Sequence, residues 1–199
     1  DLERVPGMDL DRYDVIVAAG GEYGEAAAEP LERWVRAGGR LVALAGAVEW
    51  AVENGFLELE ERTAPVDSAV AGVPYGELGR AYGAHNIGGS ILRARLDTTH
   101  PLAFGLPEVL PVFRTHESFW EPPTGRPGRD VGVYPEQDPL WSGYLSSLRR
   151  DQAAGAAAVV AGEMDGGEVV AIMDDPNFRA FWYGSNRLFL NAVFLGGTY

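Results

Sequence analysis

Asp14-Val-Ile-Val-Ala-Ala-Gly-Gly21 and, one helical stretch later, Arg40-Leu-Val-Ala-Leu-Ala-Gly46 decide the fold class of this chain. Each is a short apolar run closed by glycine, the pattern of a strand buried on both faces of a parallel sheet. Between them, Gly24 to Ala37 has helical spacing. Leu31, Trp34 and Val35 fall at i, i+3 and i+4, Glu32, Arg33 and Arg36 point outward, and Gly38-Gly39 is the stop. Pro30 lies in the early turns, where a helix starts or kinks. After the second strand, Gly46 to Asn54 reads as a short helix ended by Gly55. Strand, helix, strand, helix with short glycine turns predicts a parallel α/β sheet.

Working outward, residues 56–90 read as an insertion with one short helix. They hold Glu58, Glu60 and Glu61, then a passage rich in glycine and tyrosine. Ser90 to Leu96 alternates as a strand, Thr99 to Gly105 is a loop punctuated by proline and glycine, and Val109 to Arg114 is a further strand. Pro122 to Gly128 forms a turn before a strand over Asp130 to Tyr134. Ala156 to Ala161 and Glu168 to Met173 flank Asp165-Gly166-Gly167, a hairpin signal. Ser185 to Leu195 is an amphipathic helix with Leu188, Phe189, Ala192 and Val193 as its apolar stripe and Ser185 as N-cap. No internal repeat or low-complexity linker interrupts the 199 residues, so one domain is expected over 1–199. The chain opens at Asp1, which suggests a segment of a longer polypeptide.

Composition removes several chemistries. All 16 bases are arginine and there is no lysine, which excludes Schiff-base and P-loop lysines. The absence of cysteine excludes thiol nucleophiles, thiolate metal sites and disulfides. A formal net charge of -13 argues against nucleic acid or an anionic membrane as partner. No apolar run has the length of a membrane span, and no signal peptide pattern is present.

Four kinds of site come into question. A G-x-S-x-G elbow is absent, and the strand-to-helix turn at Leu44-Ala45-Gly46-Ala47-Val48 offers only Ala47 at its tip, which has no reactive atom. His85, His100 and His116 are far apart in sequence; His116-Glu117 begins like H-E-x-x-H, but position 120 is Trp. No metal site is expected. His100 before Pro101 could pair with a distant carboxylate, although His-Pro more often fixes a turn. Asp174 and Asp175 sit at the carboxyl end of a core strand, where open α/β sheets place their crevices. They could hold a sugar hydroxyl, a metal or an arginine. In the structural alternative one caps the helix after it and the other pairs with Arg179 or Arg187. Phe178, Phe181, Trp182 and Tyr183, with Phe119-Trp120 and Trp141/Tyr144, could stack on sugar rings, form an interface or fill the core.

Taken together, these motifs resemble the class I glutamine amidotransferase-like fold. The resemblance rests on Asp9 to Val17 and on Leu31-x-x-Trp-Val-Arg-Ala-Gly-Gly-Arg-Leu-Val42. It implies a flavodoxin-like three-layer α/β sandwich, mainly parallel, with a C-terminal hairpin and helix. Active members place cysteine at the nucleophile turn. Here Gly46 and Ala47 form a degenerate version, without a matching partner histidine, so amidotransferase activity is not carried over.

Two branches resemble the chain more closely. Thr99-His-Pro-Leu-Ala-Phe-Gly105 is similar to the loop of ThuA-like trehalose-utilisation proteins, which also lack the cysteine. Asp174-Asp-Pro-Asn-Phe-Arg-Ala-Phe-Trp-Tyr-Gly184, with Asn186 to Ala192 and Ser142-Gly-Tyr-Leu-Ser146, looks like the C-terminal domain of bacterial zinc carboxypeptidase-like proteins. That likeness implies a non-catalytic accessory domain, with the peptidase domain of the same polypeptide as its partner. It also implies zinc in that parent domain but no cofactor in this chain, and a secreted or periplasmic location. The ThuA-like alternative implies a sugar-binding or sugar-modifying crevice of Asp174, Asp175 and His100. Asn177, Arg179, Trp182 and Tyr183 complete the candidate residues, for a peptide or saccharide ligand or an interface. The fold normally begins with a β–α–β unit that Asp1 to Leu10 is too short to supply, so the sheet is expected to be open at one edge.

Overall fold

A computed structural model describes residues 2–20, 24–124, 129–180 and 182–196. Within them, eight strands form one sheet. In chain order these are β1 (Val15–Ala18), β2 (Arg40–Leu44), β3 (Ser90–Leu96), β4 (Val109–Arg114), β5 (Asp130–Val133), β6 (Leu140–Gly143), β7 (Ala157–Met164) and β8 (Gly167–Ile172). Across the sheet the order is β1-β2-β8-β7-β5-β3-β4, and β6 pairs with β3 beyond the end of β5.

The parallel character predicted from the sequence holds only at one side. β1 pairs parallel with β2, and β2 with β8; every other pairing is antiparallel. The sheet is therefore mixed, which corrects the expectation of a mainly parallel, flavodoxin-like sheet. The cause is local. Asp165 at φ 49 and Gly166 make a two-residue turn that folds β8 straight back on β7, so no crossover helix separates them.

Helices lie on both faces. Alternation in β2 and β8 sends Leu41, Ala43, Val169 and Ala171 to one side and Val42, Leu44, Val170 and Ile172 to the other. On the first side, α1 (Ala28–Arg36) buries Leu31, Trp34 and Val35, and α2 (Ala47–Glu53) buries Ala47, Val48, Trp50 and Ala51. Full burial of a large apolar side chain contributes about 1.5–3 kcal/mol. Trp34 also donates its indole N–H to the carbonyl of Tyr13 at 3.0 Å, tying the helix to the segment that feeds β1. Pro30 falls in the first turn of α1, where a missing N–H is tolerated.

Residues 56–90 contain two short helices rather than one, α3 (Val66–Ala69) and α4 (Leu78–Gly83). β6 and α5 (Ser147–Ala153) have no counterpart among the elements expected from the sequence. β6 is short and exposed, so its alternation is not apolar. The opposite face is covered by α6 (Asn186–Phe194), with Leu188 and Ala192 in the core. Ser185 does not cap α6: its hydroxyl donates to the carbonyl of Pro176 at 2.9 Å. No described helix is long and apolar enough to cross a membrane.

Candidate functional site

β8, β5 and β4 all point the same way, because the antiparallel β7 and β3 lie between them. Their carboxyl ends therefore share one end of the sheet with that of β2. Register then fixes the neighbours. Leu44 pairs with Ile172, so the turn after β2 stands beside Met173 and Asp174.

The turn after β2 corrects one expectation. Ala47 is not its tip; it is the first residue of α2 and is fully buried. The residue in the left-handed region is Ala45, at φ 50, which is half-buried, and Gly46 after it is exposed. The N–H of Ala45 donates to Ile172 O at 2.9 Å, and its carbonyl accepts from Val48 N–H at 3.0 Å. A strained strand-to-helix turn of this kind is where nucleophile elbows present their reactive atom. In this chain that position is a methyl group. The sequence did hold the signal: Ala47, Val48 and Ala51 already form the buried stripe of α2, which leaves the tip to the residues before Ala47.

Asp174 is 2% exposed and Arg114 is 0% exposed. Arg114 Nη1 donates to Asp174 Oδ1 at 3.2 Å and to the hydroxyl oxygen of Tyr134 at 3.0 Å. Tyr134 in turn donates to Asp174 Oδ2 at 2.6 Å. Arg114 also donates to the carbonyls of Met173 and Ser118, and its guanidinium lies 4.0 Å from the centre of the Phe119 ring. Burial raises the Asp174 carboxyl above its ordinary range, while Arg114 and the hydrogen bond from Tyr134 pull it back down. Burial, and next the Asp174 charge, raise the Tyr134 hydroxyl. Asp174 thus pairs with an arginine, but with Arg114 rather than Arg179 or Arg187. Its carboxylate is used inside the fold.

Asp175 is half-buried, and its Oδ1 accepts from the Asn177 N–H at 2.9 Å, a local turn that satisfies one oxygen. The segment after it is an aromatic strap. Phe178 packs on Phe113 with ring centres 4.3 Å apart, and Trp182 does so at 5.8 Å. Arg179 and Ala180 have φ of 50 and 56, and Arg179 lies exposed over the Phe178 ring. Tyr183 is 76% exposed. Phe181, with residues 125–128 of the Pro122–Gly128 turn and Gly21 of the first glycine pair, lies outside the described residues.

His100 is not part of this end. It follows β3, which runs opposite to β8, and so lies at the other end of the sheet. There its Nδ1 accepts from Leu102 N–H at 3.2 Å and caps the 3-10 turn Pro101–Ala103. The residues brought together are Asp174, Asp175 and Asn177 with the Ala45-Gly46 turn; His100 is separate.

Three residues that sequence reasoning leaves out of the site belong to this end: Arg114, Tyr134 and His116. Leu110, Val112 and Arg114 share one face of β4, so an arginine at a core register position already called for a buried acid. Burial, and next the Arg114 charge, push His116 down to about 3, so its imidazole is neutral across the ordinary pH range. Among the described residues there is no cluster of three or more histidine or carboxylate side chains that could hold a metal ion.

The fold and this site define a mixed α/β domain with an unarmed strand-to-helix turn beside a partly open aspartate. No family model and no curated protein matches the chain. Solved structures do. A ThuA-like protein from Bacteroides uniformis matches with a TM-score of 0.58 at 13% identity, over 98% of this chain and 73% of that one. A GMP synthase subunit from Thermoplasma acidophilum matches with a TM-score of 0.55 at 11% identity, over 95% and 75%. A cytoplasmic protein from Salmonella typhimurium matches with a TM-score of 0.52 at 14% identity, over 93% and 72%. At such identities the likeness is one of fold.

Proposed function

We propose that this chain is a non-catalytic, ThuA-like binding domain whose ligand is a hydroxyl-rich molecule of the saccharide class. The observation that carries this reading is that Ala45 and Asp175 follow the carboxyl ends of two neighbouring parallel strands, β2 and β8. The position that would hold a nucleophile has no reactive atom, while the adjacent strand end keeps a half-buried carboxylate. A carboxylate with an oxygen left to accept, followed in the chain by Trp182 and Tyr183, suits sugar hydroxyls and the apolar face of a pyranose. Asp175 and Asn177 are the polar contacts of this reading, Trp182 and Tyr183 the stacking surface, and Asp174 the buried anchor. His100 has no part in it. The fold likeness to the ThuA-like protein supports this reading. The test is a thermal-shift screen against mono- and disaccharides. A saturable rise in melting temperature that Asp175→Ala abolishes is expected. No shift with any sugar, or one that Asp175→Ala leaves unchanged, rejects it.

A second reading is favoured by the stretch Asp174 to Gly184. Under it the chain is an accessory domain that packs against a zinc carboxypeptidase-like domain of the same polypeptide, in a secreted or periplasmic protein. Zinc would belong to that peptidase domain. The aromatic strap with exposed Tyr183 would then be a contact surface for the peptidase domain or its peptide substrate. Adding such a peptidase domain in trans should give binding or a raised melting temperature; neither effect would reject this reading.

A further inference from the structure

At the end of the sheet away from Asp175 lies a cavity of about 330 Å³. The last turn of α1, the turn after α2, the lead into β5 and the last residues of β7 border it. β7 runs opposite to β8, so Gly162, Glu163 and Met164 stand at the end where β8 begins. Phe56, Leu57 and Met164 are buried and supply the apolar part of its wall. Gly162 makes room for Leu57: a methyl group on it would lie 2.7 Å from Leu57 Cδ2.

The rest of the wall is charged, with both signs present. Arg36 and Asp165 answer each other at 2.7 Å, and Glu32 holds Arg36 as well at 2.8 Å. That leaves Arg129, Glu58 and Glu163. Both glutamates are exposed, and among the described residues neither forms an ion pair. Arg129 is the unusual member. The other buried or half-buried arginines among the described residues are Arg40, Arg62, Arg93, Arg114 and Arg149, and each bonds a carboxylate. Arg129 is half-buried too, yet among the described residues only its backbone is engaged, its carbonyl accepting from Ala161 N–H at 3.0 Å. A guanidinium drawn partly out of water with its donors unanswered is an unfavourable arrangement that a bound carboxylate would offset.

We propose that this cavity binds a free α-amino acid with an apolar side chain. Its carboxylate would take the fork of Arg129, and its ammonium would lie against Glu58 and Glu163. Its side chain would rest on Phe56, Leu57 and Met164, the usual division between a few polar anchors and an apolar wall. A ligand carrying negative charge alone fits poorly, because the two glutamates would repel it. The cavity is separate from the Asp175 end, and the proposal stands whichever reading of that end holds.

The probes are alanine, valine, leucine and methionine, with the amine-free acid and the acid-free amine of each as controls. Binding is followed by calorimetry at neutral pH. At least one amino acid should bind saturably, and loss of either charged group should weaken binding by roughly tenfold or more. Arg129→Met should do the same while circular dichroism stays unchanged, and Asp175→Ala should leave binding intact. If Arg129→Met does not fold, the exposed pair Glu58→Gln with Glu163→Gln serves in its place. No saturable binding at millimolar amino acid overturns the proposal. Equal binding of the amine-free acid does so too, as does a folded cavity variant that binds like wild type. Binding lost in Asp175→Ala would put the ligand at the other end of the sheet and overturn it as well.

Discussion

Arg114 and Asp174 are both closed off from solvent, so each charge depends on the other and on the Tyr134 hydroxyl. Removing the acid alone leaves a buried guanidinium without its counter-ion, which typically costs about 3–5 kcal/mol. Asp174→Ala is therefore expected to lose that much in urea unfolding. The pair Arg114→Met with Asp174→Leu should lose clearly less than the sum of the two single changes. A loss below about 1 kcal/mol for Asp174→Ala would show that the pair is not a support of this end. His116 gives a pH signature. Its folded value of about 3 lies below the ordinary 6.5, so the unfolded chain takes up a proton that the folded chain refuses. Stability should thus fall as pH drops from 6.5 toward 3, by on the order of 5 kcal/mol at full extent. Asp174, raised above its ordinary 3.8, acts in the opposite direction: its contribution is complete below 3.8 and fades as pH rises through its folded value. The difference in melting temperature between wild type and His116→Gln across that range isolates the histidine. A constant difference would count against its burial as neutral imidazole.

At the scale of elements, the closest packing joins α1 to the β7–β8 hairpin. A methyl group at Gly167 would collide with the carbonyls of Val35 and Gly39, both backbone and unable to swing aside. Gly167→Ala is expected to cost about 1–3 kcal/mol or more, whereas Gly76→Ala, where nothing lies within reach, should stay near wild type. Equal melting temperatures for the two variants would refute that packing. Legibility in the sequence follows the same physics. β1, α1, β2 and the β7–β8 hairpin were readable because their apolar periodicity and glycine stops are local, and the structure places them close to expectation. β6 and α5 were not, since one is an exposed four-residue strand and the other buries Arg149 and Gln152 instead of an apolar stripe. In the candidate site Asp174 and Asp175 were readable from their place at a strand end. Arg114, Tyr134 and the exclusion of His100 were not, because they follow from which strands run up and which run down. A hairpin turn read as antiparallel from Asp165-Gly166 fixes the direction of one strand, not of the others whose direction follows from pairing.

Over the whole molecule, 29 acids face 16 arginines, and the resulting self-repulsion opposes the compact state. Sodium chloride should raise the melting temperature as it shortens the reach of those charges, with most of the gain between low salt and roughly 0.15 M, where the screening length is about 8 Å. A melting temperature flat or falling over that range would show that ion pairs such as Arg36–Asp165 and Arg40–Glu168 outweigh the net charge. The strand order has a temporal consequence as well. β2 finds its second neighbour only in β8, with Arg40 opposite Glu168, 128 positions later in the chain. During synthesis β1 and β2 must therefore wait, half-paired, until Gly167–Ile172 has left the ribosome. Closing so long a loop late makes for slow folding, and it leaves apolar strand surface open to chaperones or to aggregation in the meantime.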